Sequence, residues 1–600
     1  MTKQYNISLK EKIPYLLIGL ACFTCTMFSG GLGWQDCIIP LLLLNVCIVM
    51  LNGHRKNSFT IPLMFLVLLC GISIFISKGN PQTSIYEACK FLCFIASASA
   101  GYLLKDDKRI LKIFFISTLV VAVLGLFACC GIIKFDEFVF KDGSIVRLQS
   151  AIKYANVTAC VLGCGYIAFL ELFLAEKKRV YLYAGSCILI AMYFTFSKAC
   201  IPIFLITCTF YVYNNKNLSK ILIIHNMVAI ALLGVMLFAI PKHMNLLMCV
   251  LIPIGVIISG KVDKNYDKGF AIWTILLSVL AVAAITVIIL YPSLLKTFTI
   301  RIQYMKDALM LIKENPALGC GFGSWRVMQY GVQTEQYNVT YLHNGILQMV
   351  VENGIIFTLS FLALITYAIF AAVKSKKYYF IAITLIIVIH SLIDCDLSFG
   401  SVLIMLGLTI GSMLPDRKNI RALGKIVNCM FIALLCISNV YMITEYAIRY
   451  SFERSYMEND YSVATSELDK LVMLCPLDAQ LKVTEAAIEE KTTNNTVKIL
   501  RKLEKAVKLS PYDPEIFEDY MDYNMDKKII EDLCMRYIEM APKQERTYAF
   551  LKQYIIKAKN KELVSKEMYS LLYDKIEARR IEEKVIDRND LLNQIINDKD

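Results

Sequence analysis

The stretch that decides the fold is residues 345–373, GILQMVVENGIIFTLSFLALITYAIFAAV, which is apolar along nearly its whole length. About 20 consecutive apolar residues are enough for an α-helix to cross a bilayer. The whole chain has the same character, since 57% of its 600 residues are hydrophobic, only 19% are charged and the mean hydropathy is +0.55. This composition is too apolar for a soluble globular protein and predicts a polytopic membrane protein.

Similar apolar blocks lie on both sides of this stretch, and together they predict about fifteen membrane-spanning helices. After Arg449 the chain becomes charged, as in a soluble domain. We therefore predict an all-α protein with a transmembrane domain at 1–448 and a helical domain at 449–600. The predicted spans are 13–33, 37–51, 59–77, 84–104, 110–133, 152–174, 180–196, 199–213, 221–240, 244–260, 269–291, 345–373, 378–394, 400–415 and 426–448, of which 180–196 and 199–213 are the pair least clearly separate.

Lysine and arginine are concentrated in alternate loops, such as Arg55-Lys56, Lys177-Lys178-Arg179 and Lys374 to Lys377. Because basic loops stay on the cytoplasmic side, this pattern predicts a cytoplasmic N-terminus and an external C-terminal domain. The net charge of +13 follows from these loops and does not indicate nucleic acid as a partner.

Two loops on the predicted outer side depart from the low-charge rule. Loop 134–153 contains Arg147, and loop 292–344 contains Arg301 among other basic residues. An anionic external ligand would explain these cations. Solvated loops with a few stabilising charges explain them equally well.

The C-terminal domain contains an internal repeat. Pro476, Pro511 and Pro542 each follow an amphipathic segment that ends in apolar residues. A period near 34 residues is typical of tetratricopeptide repeats, whose stacked helical pairs form a groove for partners. A plain helical bundle is the alternative.

The loop before 345–373 carries the residues that indicate chemistry. His343 is one of only five histidines, and an imidazole at a membrane surface is a candidate base, although many such histidines only cap a helix. Gly319-Cys320-Gly321-Phe322-Gly323 looks superficially like a nucleotide loop, but no strand precedes it, so we reject that interpretation. A glycine turn beside Trp325 is better suited to a sugar or lipid headgroup.

Charged residues inside predicted spans are further candidates. Glu87 and Lys90 are three residues apart and are expected to form a buried pair, either functional or structural. His390 and Asp394 are four apart and so are predicted to share a helix face. Asp394-Cys395-Asp396 is similar to the carboxylate pair that binds metal in nucleotide-sugar transferases. We expect Asp394 instead to orient or neutralise a nearby basic residue.

The run from Arg301 through Asn315-Pro316, the glycine turn, His343-Asn344 and Glu352-Asn353-Gly354 resembles the large external loop of the O-antigen ligase and O-antigen polymerase superfamily. Arg147, Gln149 and Tyr154-Ala155-Asn156 are a second match. Thr195-Phe196-Ser197-Lys198 is a third, in which lysine stands where the family commonly has arginine. The resemblance covers roughly 130–415, and tetratricopeptide-like tails also occur in this family.

The resemblance implies a GT-C-like membrane glycosyltransferase in a bacterial cytoplasmic membrane. It would transfer a glycan from undecaprenyl pyrophosphate to a glycan or other envelope acceptor, with no cofactor and no metal ion. His343 would be the catalytic base, and Glu352 is expected to be structural. The substrate-binding residues would be Arg147, Arg301, Asn344, Lys198, Asn156 and Trp325, with the two arginines holding the pyrophosphate.

Ligase and polymerase differ only in the acceptor, and we slightly favour a polymerase, because the tail can hold a growing chain or a protein partner. A flippase for the same lipid-linked glycan is an alternative, although its key charges should lie near the bilayer midplane and not in loops. A membrane scaffold that acts only through its repeat tail is a third possibility.

Overall fold

A computed structural model describes residues 9–52, 59–104, 106–142, 145–239, 245–261, 272–273, 296–415 and 422–585. In these residues the protein is all-helical, with 23 α-helices and one short hairpin. The hairpin pairs β1 (Val139–Asp142) with β2 (Ile145–Leu148) in antiparallel register, with Phe140 opposite Arg147. The helices are α1 (Leu9–Met27), α2 (Ile38–Asn52), α3 (Thr60–Phe75), α4 (Pro81–Leu104), α5 (Asp107–Cys129), α6 (Ala155–Glu176), α7 (Arg179–Phe194), α8 (Cys200–Tyr213), α9 (Ser219–Ala239), α10 (Asn245–Ser259), α11 (Lys296–Glu314), α12 (Trp325–Val332), α13 (Gly345–Lys374), α14 (Tyr378–His390), α15 (Gly400–Met413), α16 (Ala422–Met457), α17 (Tyr461–Leu474), α18 (Ala479–Thr492), α19 (Thr496–Leu509), α20 (Pro514–Tyr523), α21 (Ile530–Met540), α22 (Glu545–Asn560) and α23 (Lys566–Glu582).

Many of these helices have the composition of membrane spans. A helix coincides with every predicted apolar segment except 269–291, which lies almost entirely outside the described residues. The segments 180–196 and 199–213 form separate helices, α7 and α8. Among the described helices, six are long and apolar enough to cross a membrane: Pro81–Leu104, Asp107–Cys129, Ala155–Glu176, Ser219–Leu237, Gly345–Lys374 and Gly424–Met457.

The centre of the apolar domain is a close pair of helices, α4 and α15. A side chain added at Gly407 would lie 2.0 Å from the Ser97 hydroxyl, and one at Gly411 would lie 2.1 Å from the Ala98 carbonyl. The two backbones therefore pack directly against each other, as small residues permit between membrane helices. This pair fixes the start of α15, just after the turn that carries Asp394.

Helix α13 is interrupted at Gly354, where φ is 77° and ψ is 174°. The segment after α11 packs into this kink: the Ile355 amide donates to the Pro316 carbonyl (2.9 Å), and the Gly321 amide donates to the Glu352 carbonyl (2.7 Å). A Cβ at Gly319 would lie 2.6 Å from the Glu352 backbone. The backbone of the glycine turn thus approaches α13 more closely than a residue with a side chain would allow at Gly319. These backbone contacts fix the position of the loop that leads to His343.

The charged C-terminal part is also helical. The prolines of the predicted repeat lie in the turns α17–α18, α19–α20 and α21–α22, where Pro476, Pro511 and Pro542 follow α17, α19 and α21. Helix α16 continues through residue 448 to Met457, so the predicted domain boundary falls inside a continuous helix.

The C-terminal helices contact the apolar domain at two places. Asp478 accepts a hydrogen bond from the Asn80 amide (3.0 Å), in the turn before α4. Gln544 donates to the Gln333 side chain (2.6 Å), just after α12. The second contact reaches the loop that continues to His343, so the C-terminal helices help to hold that loop.

Candidate functional site

Asp394 is the centre of a polar cluster in the turn between α14 and α15. Its carboxylate is fully buried. One oxygen, Oδ1, lies 3.2 Å from His343 Nδ1 and accepts from the Tyr154 hydroxyl at 3.0 Å. The other, Oδ2, accepts from the Asn156 amide at 2.6 Å and pairs with Arg301 at 3.2 Å. A single carboxylate thus joins residues from four segments of the chain.

The start of α13 sets the position of His343. Asn344 is the N-cap of this helix, and its side-chain oxygen accepts from the Leu347 amide at 2.9 Å. The Gly345 amide donates to the carbonyls of Ser391 (2.7 Å) and Asp394 (3.0 Å). The helix N-terminus is therefore joined to the Asp394 turn, which brings the His343 ring against the carboxylate.

The contact with Asp394 determines which ring nitrogen of His343 is basic. A carboxylate can only accept a hydrogen bond, so Nδ1 must carry the proton at 3.2 Å from Oδ1. In the neutral ring Nε2 then keeps its lone pair. The His343 side chain is 23% exposed whereas that of Asp394 is 0% exposed, so the ring is accessible from outside the protein and the carboxylate is not.

The charge of Asp394 depends on its neighbours. Burial alone would raise the pKa of this carboxyl group. The hydrogen bond with His343 and the positive charge of Arg301 outweigh burial and hold the pKa of Asp394 well below its ordinary value. Asp394 is therefore a carboxylate throughout the neutral range and holds the His343 Nδ1 proton.

Two arginines belong to the same cluster. Arg301 Nη1 donates to the Ile393 carbonyl at 2.8 Å in addition to its ion pair with Asp394. Arg147 follows the hairpin turn on β2, where Nη2 donates to Asn156 Oδ1 (2.8 Å) and Nε donates to the Thr195 carbonyl (3.0 Å). Asn156 and Asp394 therefore bridge the two arginines, one from each of the basic loops identified in the sequence.

The structure brings together four of the seven residues predicted for the site: Arg147, Asn156, Arg301 and His343. Asn344 lies beside them as the helix cap. The other two, Trp325 and Lys198, are not joined to the cluster by a hydrogen bond or ion pair among the described residues, so the sequence prediction of the site included residues with different structural roles.

Trp325 is fully buried in a separate core beneath the loop, packed with Leu311, Cys320 and Leu342. Its ring therefore packs the loop and does not line an accessible surface. Lys198 is exposed, three residues after Thr195, and makes no hydrogen bond or ion pair within the described part of the chain.

Two residues of the site were not predicted as site residues. Tyr154 donates to Asp394 and lies 3.5 Å from His343 Nδ1. Asp394 was expected to orient or neutralise a basic residue, and its contacts confirm this. The prediction that Asp394 shares a helix face with His390 is wrong, because α14 ends at His390 and the chain then turns. The partner of His390 is Asp396, at 2.6 Å.

A second charged cluster lies next to the first. Glu87 and Lys90 form the predicted buried pair at 2.8 Å, and Arg326 also pairs with Glu87 at 2.7 Å. The Tyr341 hydroxyl accepts from both Lys90 (3.2 Å) and Arg326 (2.8 Å). These contacts neutralise the carboxylate of Glu87 within the apolar domain.

A small, partly open cavity extends from Gly345 to this second cluster. Glu352 lines it and accepts from the Gln348 side chain at 3.2 Å, which agrees with its expected structural role. Gly345, which follows His343 by two residues in the chain, is one of the lining residues of the cavity. Its lining also includes Phe91, Phe322, Met349, Asn353, Leu397, Ser398 and Leu403.

No known family model matches this chain, and no curated protein shows significant sequence similarity to it.

Proposed function

We propose that this protein is a membrane glycosyltransferase that transfers or polymerises glycans linked to undecaprenyl pyrophosphate. The single observation that carries the proposal is the cluster in which Asp394 joins His343 to Arg301 and, through Asn156, to Arg147. It combines a base with two cations, which are the groups that this transfer requires. The resemblance to the O-antigen ligase and polymerase superfamily supports the same function.

The proposal includes the topology predicted from the sequence. The protein has about fifteen spans, a cytoplasmic N-terminus and an external tetratricopeptide-like tail, and it acts on the outer face of a bacterial cytoplasmic membrane. The alternation of basic loops supports this arrangement. The site residues then lie on the face where lipid-linked glycans are assembled.

In the proposed reaction His343 Nε2 removes the proton of an acceptor hydroxyl. The oxygen attacks the anomeric carbon of the donor sugar, and the bond from that carbon to the pyrophosphate oxygen breaks. A single displacement of this kind inverts the anomeric configuration. Asp394 keeps the Nδ1 proton in place and stabilises the imidazolium that forms, as a carboxylate does beside a catalytic histidine.

The leaving pyrophosphate carries the negative charge that develops during transfer. Arginine is always ionised and presents several N–H donors in a fixed plane, so it can bind two phosphate oxygens at once. Within the described contacts, Arg301 uses only Nη1 for Asp394 and Ile393. Its other donors can therefore bind phosphate without loss of the contact that orients the base.

A polymerase is favoured over a ligase by the position of the C-terminal helices. The contact between Gln544 and Gln333 connects the tail to the loop that leads to His343. A tail in this position can retain a growing glycan near the base. A ligase, which releases its product onto an anchor after one transfer, has less need of such a surface.

The experiment uses the full-length protein in lipid nanodiscs with an undecaprenyl-pyrophosphate glycan as donor. It measures both the new glycosidic bond and the release of undecaprenyl pyrophosphate. His343→Gln is expected to abolish transfer, because glutamine can donate to Asp394 but cannot act as the base. The control His225→Gln makes the same change at a buried histidine that contacts Tyr166 and should retain transfer.

The outcomes separate the alternatives. If the wild type forms the glycosidic bond and His343→Gln forms it equally well, His343 is not the base. A flippase would move the donor between leaflets without forming a bond. A scaffold would do neither.

A further inference from the structure

A second cluster of ligand-type side chains lies directly behind the Asp394 turn. Cys160 on α6, His390 at the end of α14 and Asp396 after the turn each offer a donor atom, and these atoms lie within 4.8 Å of one another. All three residues are fully buried. His390 Nδ1 contacts Asp396 Oδ2 at 2.6 Å.

Two polar atoms of this cluster lack a hydrogen-bond partner among the described residues. They are His390 Nε2 and Asp396 Oδ1, and both are buried. Native proteins rarely leave such atoms unpaired, because burial without a partner is unfavourable. The cluster therefore combines three metal-ligating side chains with two buried atoms that need a partner.

We propose that Cys160, His390 and Asp396 form a buried site for a divalent metal ion of the zinc class. Sulfur, nitrogen and carboxylate oxygen are the ligands that zinc takes in proteins. A tetrahedral zinc ion with bonds of about 2.0–2.3 Å holds its ligand atoms about 3.3–3.8 Å apart. The ligand atoms lie within 4.8 Å of one another, so the most distant of them move by up to about 1 Å to bind the ion, while the 2.6 Å contact between His390 and Asp396 opens.

The charges of the site balance. Zinc binding requires the Cys160 thiol to lose its proton, which is released to water as the ion enters. One thiolate, one carboxylate and a neutral imidazole then neutralise the two positive charges of the ion. A neutral site avoids the large cost of a net charge in the protein interior.

The ion would be structural and separate from the transfer step. Asp396 and Asp394 are two residues apart, in the turn that joins α14 to α15. Fixing Asp396 to Cys160 and His390 fixes this turn against α6, and α6 also carries Asn156. The metal site therefore holds together the two segments that position Asp394, and it does not depend on which reaction the site performs.

The test is the metal content of the full-length protein, purified in detergent without chelators and measured by inductively coupled plasma mass spectrometry. We expect close to one zinc ion per chain in the wild type. Cys160→Ser and His390→Gln should each lower the content by about tenfold or more, as expected for loss of a direct ligand. The matched control Cys47→Ser, at a buried cysteine on α2 that contacts the Pro14 carbonyl, should retain the ion.

A second measurement avoids variants that fail to fold. X-ray absorption at the zinc edge of the wild-type protein should show sulfur at about 2.3 Å and nitrogen or oxygen at about 2.0 Å. Folded wild-type protein without stoichiometric metal would overturn the proposal, as would a bound metal without a sulfur ligand. Unchanged occupancy in both ligand variants would do the same.

Discussion

Replacing Asp394 with asparagine should remove most of the proposed transferase activity, because this carboxylate accepts hydrogen bonds on both oxygens. Oδ1 faces His343 and Tyr154, and Oδ2 faces Asn156 and Arg301. All four partners are donors in the proposed active state. An amide offers one acceptor oxygen, so in either orientation of the new side chain its NH2 group points at donors.

The size of the effect follows from the ring of His343. When the asparagine NH2 group faces Nδ1, that nitrogen must accept, the proton moves to Nε2 and the base is lost. General base catalysis contributes about 10²–10⁴-fold to the rate, which corresponds to about 3–5 kcal/mol of transition-state stabilisation. We therefore expect kcat to fall by about 10³-fold. The apparent affinity for the donor should change less, because the Arg147–Asn156 bond is retained.

The assay is the rate of undecaprenyl pyrophosphate release in nanodiscs under single-turnover conditions. Asp307→Asn is the matched control, since Asp307 is a buried carboxylate on α11 that accepts from Thr334 and Tyr337. The control should lower stability but keep the rate within about tenfold of the wild type. A loss of less than about tenfold in Asp394→Asn would refute the argument that Asp394 selects the tautomer of His343.

The remaining predictions concern pH, the pyrophosphate and the kink. Because the folded-state pKa of Asp394 is lowered, its charge stabilises the fold above the unfolded-state pKa of about 3.9. Thermal unfolding should show a constant stability difference between wild type and Asp394→Asn above about pH 5. This difference should shrink as the pH falls below about 4. Arg301→Gln should weaken the binding of undecaprenyl pyrophosphate by about tenfold or more, measured by thermal stabilisation of the protein. Arg301→Lys should lose less affinity, because lysine keeps the charge but not the planar fork. Equal binding by the wild type and both variants would contradict the arginine's role. Gly354→Ala should destabilise the protein by about 2 kcal/mol or more in denaturant unfolding, because φ is 77° and a Cβ would lie 2.2 Å from the Ala317 carbonyl. The control is Gly71→Ala on α3, where nothing lies within 4 Å of the added Cβ. This control should leave the stability unchanged or raise it.

The sequence was sufficient to predict the helices, because the length of an apolar block directly reflects the thickness of a bilayer. It also identified Arg147, Asn156, Arg301 and His343, which the fold brings to one cluster. It could not show what joins them. The rule that residues four apart share a face holds only inside a helix, and α14 ends at His390, so the predicted shared face of His390 and Asp394 does not form.

The glycine turn and Trp325 show a second limit of local patterns. Their composition suggested a surface for a sugar or lipid headgroup. The glycines are required because the turn packs closely against distant segments: a Cβ at Gly319 would meet Glu352 on α13, and a Cβ at Gly321 would meet Ser77. Trp325 fills the core beneath that contact. A packing requirement set by a distant segment leaves no local signal that distinguishes it from a binding function.

The convergence of distant segments on Asp394 has a consequence for how the protein becomes active during its synthesis. Tyr154, Arg301 and His343 are separated from Asp394 by 240, 93 and 51 residues of chain, respectively. A chain that has inserted its early helices but not α14 and α15 has no carboxylate beside its imidazole. The cluster around Asp394 is therefore complete only after α14 and α15 have been made, although Tyr154, Arg301 and His343 come earlier in the chain.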